Sequence, residues 1–316
     1  MEDPKMKEIL ISTFCKELDL EIVCDGGHDA ISLSNSSINR PGLQLYGYYD
    51  HFDSDRVQIF GMVENSYLNS LPLEEKRKKL ETFFTYQFPC LVIAWDLDVE
   101  DDFMALANKY KRVVLKTKKE TTKVINQVIN YLDVELAPMV SVHGVLVEVF
   151  GVGALITGSS GVGKSETALE LVKRGHRLIT DDVVDIKRVG DTLIGSAPEL
   201  LKQFMEIRGI GIIDIRTLYG IGAVKESVAI DMNIHLEHWD SEKYYDRLGL
   251  DEEYHRVLDV DIPKVVIPVT TGRNLAIIME AAARNNRLKY LGINSAKDFC
   301  DRISRSNASE EILDQG

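Results

Sequence analysis

Along the first 130 residues, short apolar runs alternate with segments of helical spacing. Residues 20–24, 57–60, 90–95 and 113–116 are brief and rich in β-formers, which predicts strands. Residues 9–18, 73–84 and 102–110 carry apolar positions three and four apart, which predicts helices. A further helix is predicted over 121–132, where Val124, Ile125, Val128, Ile129 and Leu132 follow the same spacing. Leu136-Ala137-Pro138 stops it, because proline disfavours helix in the residue before it. The domain boundary is placed near Val134, giving an N-terminal α/β domain over 1–133 and a second domain over 134–316.

The second half opens with two buried strands, 145–149 and 153–157, joined by a tight turn and followed by a glycine-rich loop. The stretch 139–157 is apolar enough to suggest a membrane span. It contains His143, Glu148 and three glycines, and lacks the roughly 20 uninterrupted apolar residues that a span requires. A helix over 165–174 keeps Ala168, Leu169 and Val172 on its inner side and stops at Gly175. A long helix is predicted over 274–291 with Gly292 as its stop, then a short one over 295–303, with the polar tail beyond expected to fray.

At about 150 residues per domain, 316 residues suit two domains. Apolar residues at 45% and charged residues at 28% exclude a disordered, collagen-like or disulfide-scaffold chain. Lysine and arginine number 37 against 50 carboxylates, a net charge of −13, which opposes binding to nucleic acid or to an anionic membrane. Cys15, Cys24, Cys90 and Cys300 form no C-x-x-C pair, the pattern of reduced thiols in a cytoplasmic protein. The N-terminus MEDPKMKEIL is not a signal peptide. The basic run 109–123 is taken as a solvated face rather than an anion site, and the first half is assigned no chemistry.

Chemistry enters at Gly158-Ser159-Ser160-Gly161-Val162-Gly163-Lys164-Ser165, a complete G-x-x-x-x-G-K-[ST] loop between a strand and a helix. Its glycines permit backbone N–H groups to turn inward around phosphates, with the dipole of the following helix behind them. Lys164 is expected at the β- and γ-phosphates and the Ser165 hydroxyl on Mg²⁺. Downstream, 178–184 reads as a buried strand carrying Asp181 and Asp182, a pair suited to holding Mg²⁺ or to accepting a proton from an attacking hydroxyl. The competing reading is a strand-end turn capped by aspartate. His143 is expected in a turn between strands, Glu206 ahead of a glycine-punctuated strand, and Arg247 and Arg273 in polar loops. On these residues alone, a small-metabolite kinase or carboxykinase and a non-enzymatic nucleotide sensor both stay open.

The run from His143-Gly-Val-Leu-Val through the phosphate loop to Asp182 resembles the HPr kinase/phosphorylase family. So do Met205-Glu206-Ile207-Arg208-Gly209-Ile210-Gly211-Ile212-Ile213-Asp214, Tyr245-Asp-Arg-Leu-Gly249 and Gly272-Arg-Asn-Leu275. The resemblance covers about 121–292 closely and the N-terminal half more loosely. It implies a Mur ligase-like N-terminal domain and a P-loop kinase domain similar to phosphoenolpyruvate carboxykinase, assembled as a homohexamer in the cytoplasm. It also implies a bifunctional regulator of carbon metabolism. One activity moves the γ-phosphoryl of ATP to a serine of the phosphocarrier HPr. The other uses inorganic phosphate to release it again as pyrophosphate.

Carried over by motif, Lys164 serves the phosphates, Ser165 and Glu206 the magnesium, and Asp182 the seryl proton in both directions. His143 and Arg247 match further active-site positions. One segment departs from the family pattern: Pro268-Val269-Thr270-Thr271-Gly272-Arg273 stands where the family usually has Pro-Val-Arg-Pro-Gly-Arg, a loop associated with phosphorolysis. Threonine cannot replace a bidentate anion donor, so the balance of the two activities is expected to differ here.

Overall fold

The protein is described by a computed structural model covering residues 8–27, 31–246 and 249–313, with side chains through Arg305. The described residues divide into two compact units, one ending at Pro138 and the other beginning at Met139, each of mixed α/β build.

In the first unit the four expected strands join with Ile38–Asn39, which was not expected, in one five-stranded sheet. Its order is Glu21–Cys24, Val114–Lys116, Leu91–Ile93, Val57–Phe60, Ile38–Asn39. The last four are parallel and the first is antiparallel to its neighbour. Helices Ile11–Leu18 and Thr121–Glu135 cover one face. Helices Gly42–Tyr46, Met62–Asn69, Leu73–Thr85 and Asp101–Lys109 cover the other over a core rich in phenylalanine. With both faces covered, Leu91–Ile93 is buried at every residue, which is why these strands show no alternation. The first helix begins two residues later than its spacing suggests, because Ile9–Leu10 pairs with Ser32–Leu33 instead.

The second unit is built on a six-stranded sheet of order Arg177–Thr180, Val145–Val149, Val152–Gly158, Met232–His238, Val260–Val269, Glu253–Val257. Val152–Gly158, Met232–His238 and Val260–Val269 run parallel, so their carboxyl ends meet at one edge. Helices Lys164–Lys173 and Leu275–Tyr290 pack on one face of this sheet. A four-stranded sheet of order Ser227–Ala229, Thr192–Ser196, Val183–Val189, Met139–His143 packs on the other. The final helix spans Ser295–Leu313 and does not stop near Ile303. Neither glycine nor proline occurs between Ser295 and Leu313, and Ala308, Glu310 and Glu311 favour its continuation over the fraying expected there.

Candidate active site

The glycine-rich loop leaves the carboxyl end of Val152–Gly158 and enters helix Lys164–Lys173, at the edge where open parallel sheets bind ligands. Gly158 has φ 142°, and a Cβ there would lie 2.2 Å from the Leu236 carbonyl oxygen of the adjacent strand. Only glycine lets the two strands approach this closely. Val162 anchors the loop in the core, while Ser159, Ser160 and Gly161 face solvent. The Lys164 ammonium folds over the loop and donates to the carbonyls of Gly158 and Ser159, both at 3.0 Å.

The two aspartates are separated by a backbone inversion. Strand Arg177–Thr180 ends before them, and Asp182 takes φ 73°, a left-handed conformation that sends successive side chains apart. Asp181, 4% exposed, accepts the Ser165 hydroxyl at 2.8 Å and the Glu206 backbone N–H at 3.1 Å. Burial raises its pKa, the two hydrogen bonds oppose that, and the neighbouring Asp182 charge adds to it. The Asp182 side chain is 75% exposed and lies 3.8 Å from His143 Nδ1. The Asp182 carbonyl accepts the Gly144 N–H at 2.9 Å, which holds the turn against the strand end. His143 is not in a turn as its sequence context suggests. It is the last residue of strand Met139–His143, in register with Val183.

Glu206 lies in a hairpin of Phe204–Ile207 and Gly211–Asp214. Met205 and Ile207 are buried in the same core as the loop helix, so the intervening Glu206 projects outward. Beyond it, the Arg208 guanidinium donates to the Ser160 hydroxyl at 3.0 Å. A Cβ on Gly161 would stand 3.1 Å from Arg208 Nη1, so a bare loop is needed for this approach. The side chains of Ser165, Asp181 and Glu206 offer hard oxygen donors that suit Mg²⁺. Among the described residues no group of three or more His, Cys, Asp or Glu could hold a metal ion.

The loop of Thr270, Thr271, Gly272 and Arg273 follows Val260–Val269 at the same sheet edge, two strands or about 10 Å from the phosphate loop. Arg273 turns back onto the Pro268 carbonyl at 3.0 Å. Arg247 lies outside the described residues. The structure thus gathers the phosphate loop, His143, Asp181, Asp182, the hairpin and Arg208. Asp181 as the partner of Ser165 was not singled out by sequence reasoning, because nothing in an Asp-Asp pair says which member turns inward. The pair Asn233 and His235 was missed as well. Both contact Thr157, the residue before the loop, through its hydroxyl at 3.1 and 3.0 Å.

Two family models cover nearly the whole chain: HPr Serine kinase N terminus over residues 9–132 and HPr Serine kinase C-terminal domain over residues 134–303. The chain is 51% identical over 299 residues to the HPr kinase/phosphorylase of Caldanaerobacter subterraneus subsp. tengcongensis, covering 94% of this chain and 98% of that protein. It is 50% identical to the HPr kinase/phosphorylase of Thermoanaerobacter sp. strain X514, with the same coverage of 94% and 98%. Among solved structures, the Hpr(Ser) kinase/phosphatase from Coxiella burnetii matches with 37% identity and a TM-score of 0.46, over 51% of this chain and 98% of that one.

Proposed function

The chain belongs to the HPr serine kinase family, and from that premise we propose that it phosphorylates a serine of HPr with ATP and Mg²⁺ and reverses the reaction with inorganic phosphate. In the forward direction the seryl oxygen attacks the γ-phosphorus, ADP leaves, and the Asp182 carboxylate takes the seryl proton. In reverse, a phosphate oxygen attacks the phosphoserine phosphorus, Asp182 returns the proton to the departing seryl oxygen, and pyrophosphate is released. One carboxylate serves both directions by microscopic reversibility.

The reading rests on the split of the aspartates: Asp181 is turned inward onto Ser165, and Asp182 outward beside His143. The inner carboxylate orients the hydroxyl that ligates the metal, leaving the outer one for the acceptor. Bound Mg²⁺ supplies charge neutralisation on the phosphoryl oxygens. Lys164 leaves its own loop carbonyls for the β- and γ-phosphates, Glu206 adds a metal ligand, and Arg208 places a second cation beside the loop. His143 holds Asp182 toward the acceptor. Arg247 takes the family's remaining active-site role.

We assign the protein to the cytoplasm and to a homohexamer. No helix among the described residues is long and apolar enough to cross a membrane. The exposed Ile210, Ile212, Leu218 and Ile221, clustered in sequence around the hairpin, give an assembly apolar surface to bury. The test is intact-mass analysis of HPr incubated with the protein, Mg²⁺ and ATP, then washed and given phosphate. One phosphoryl group gained on serine, then lost with an equal amount of pyrophosphate, supports the proposal. HPr left unmodified by a protein that still binds ATP overturns it.

A further inference from the structure

The six-stranded sheet of the second unit is unevenly covered on its helix side. The core under helices Lys164–Lys173 and Leu275–Tyr290 runs through Met232, Ile234 and Leu236, but of the next strand, Val260–Val269, only Ile267 is buried in it. Val265 stands in register with Ile234, and Tyr254 with Pro263, so Val265, Pro263 and Tyr254 face the same side as that core. Val265 and Tyr254 are nonetheless exposed. With Ile278, Ala282 and Tyr290 of the neighbouring helix they line a cleft of about 1510 Å³. Parallel strands are normally covered by helices, and over this edge of the sheet the described residues supply none.

Helix Ser295–Leu313 has the opposite deficiency. Ala296, Phe299, Cys300 and Ile303 recur at spacings of three and four, an apolar stripe along one side. None of its residues from Ser295 through Arg305 is buried, with Phe299 54% and Ile303 44% exposed. Helices draw most of their stability from packing such a stripe against something. No described side chain of this helix lines the cleft, and the joint before it explains why. Gly292 takes φ 83° and its N–H bonds the Lys289 carbonyl at 2.9 Å, while the Ile293 N–H bonds the Leu288 carbonyl at 2.9 Å, which closes helix Leu275–Tyr290. The Asn294 side chain then accepts the Lys297 N–H at 3.2 Å and caps the next helix. Hydrogen bonds at both ends of this short joint set the direction of the last helix, away from the cleft of its own chain.

We propose that the cleft receives helix Ser295–Leu313 of a second copy of this chain, seated with its apolar stripe over Val265 and Tyr254. The dimensions agree: 19 helical residues span about 28 Å and the 10 residues of Val260–Val269 about 33 Å. A foreign partner would have to supply a helix for the cleft and a separate cover for the stripe. A second copy supplies both, and in a closed assembly each chain contributes one helix and accepts one. Pro268 and Arg273 line the same cleft, so the seated helix borders the candidate active site. The contact does not depend on phosphoryl transfer and stands apart from the kinase reading.

Cys300 lies on the stripe and the other three cysteines are buried, so Val265→Cys offers it one accessible partner on the cleft floor. The full-length variant is oxidised mildly and run on a non-reducing gel, beside the parent protein and Val265→Cys combined with Cys300→Ser. The expected result is a set of covalently linked chains that both controls lack, with the new thiol and Cys300 joined between chains by peptide mapping. A disulfide closed within one chain, or no linkage beyond the controls, overturns the proposal. Phe299→Asp combined with Ile303→Asp provides a second reading, since both side chains are exposed in the single chain and the fold should survive, as far-UV circular dichroism would show. Mass photometry should then find smaller assemblies than the parent forms. An unchanged mass overturns the proposal, and if the KM for HPr rises while the mass stays the same, the stripe belongs to that protein instead.

Discussion

Replacing Glu280 by glutamine tests whether the phosphate-loop helix is held at its far end by electrostatics. Glu280 lies in helix Leu275–Tyr290 and binds Arg174, at the end of the loop helix, through both oxygens at 2.9 and 2.8 Å. It also meets His176 Nε2 at 2.9 Å. The side chain of Glu280 is 17% exposed and that of His176 5%, so the cluster is largely shielded. The Arg174 hydrogen bonds, resisted by burial and helped by His176, lower the Glu280 pKa from 4.5 to about 2. At about 1.36 kcal/mol per unit, that displacement sets a ceiling of about 3.4 kcal/mol. Screening of the part-exposed guanidinium brings the expected contribution to about 1.5 kcal/mol. The folded pKa is depressed, so the stabilisation is complete above the ordinary glutamate range and is lost as pH falls from about 4.5 through about 2. For a unit of this size, thermal unfolding of Glu280→Gln at pH 7 should come about 3–6 °C early. The gap should narrow steadily between pH 5 and the lowest pH at which the parent still folds. A gap that is absent at pH 7, or that persists unchanged in acid, would refute the electrostatic account.

Three further outcomes follow from the site. Gly158→Ala forces a Cβ against the Leu236 carbonyl at 2.2 Å and should cost about 3 kcal/mol in denaturant unfolding, with nucleotide binding lost even where the fold survives. Asp181→Asn keeps an acceptor for Ser165 but removes the buried charge; nucleotide affinity should fall about tenfold with Mg²⁺ present and hardly change in EDTA, as titration calorimetry would show. Thr270→Arg adds a bidentate anion donor to this loop, so pyrophosphate release from phosphorylated HPr should rise relative to kinase turnover; both rates left unchanged by the substitution would count against the loop's role.

How much of this was legible in the sequence depended on the range of the interaction. The strand, glycine-rich loop and helix at 152–173 were legible because the motif is made of consecutive residues, and glycine spacing states the backbone dihedrals outright. Four strands of the first unit were legible through their apolar runs, and residues 145–149 and 153–157 through continuous burial, whereas the two-residue strands Ile9–Leu10, Ser32–Leu33 and Ile38–Asn39 are too short to leave a pattern. Strand Met139–His143 was not separated from them, because its exposed and half-buried positions make no simple run. That placed His143 in a turn, although its pairing with Val183 bridges residues far apart in the chain. Arg208 reaching Ser160 and Asn233 reaching Thr157 are likewise tertiary facts without a local signature.

The aspartate pair shows the limit most clearly, since composition and spacing were read correctly and the roles still could not be divided. In a regular strand, adjacent residues point to opposite faces, and either could have been the buried one. Here the strand ends at Thr180, whose hydroxyl bonds the Val183 carbonyl at 2.8 Å across a tight turn. The left-handed conformation is thereby confined to Asp182, a residue type that tolerates it. Asp181 is left at the end of a buried strand, facing Ser165 and Glu206, where burial favours its neutral form unless a cation is near. A carboxylate so placed gains most from a metal ion and can receive little from solvent. The exposed neighbour is free to exchange a proton with an arriving hydroxyl. In the proposed reaction, one residue of left-handed conformation separates metal binding from proton transfer within a single dipeptide, and the separation is a property of the turn rather than of the two side chains.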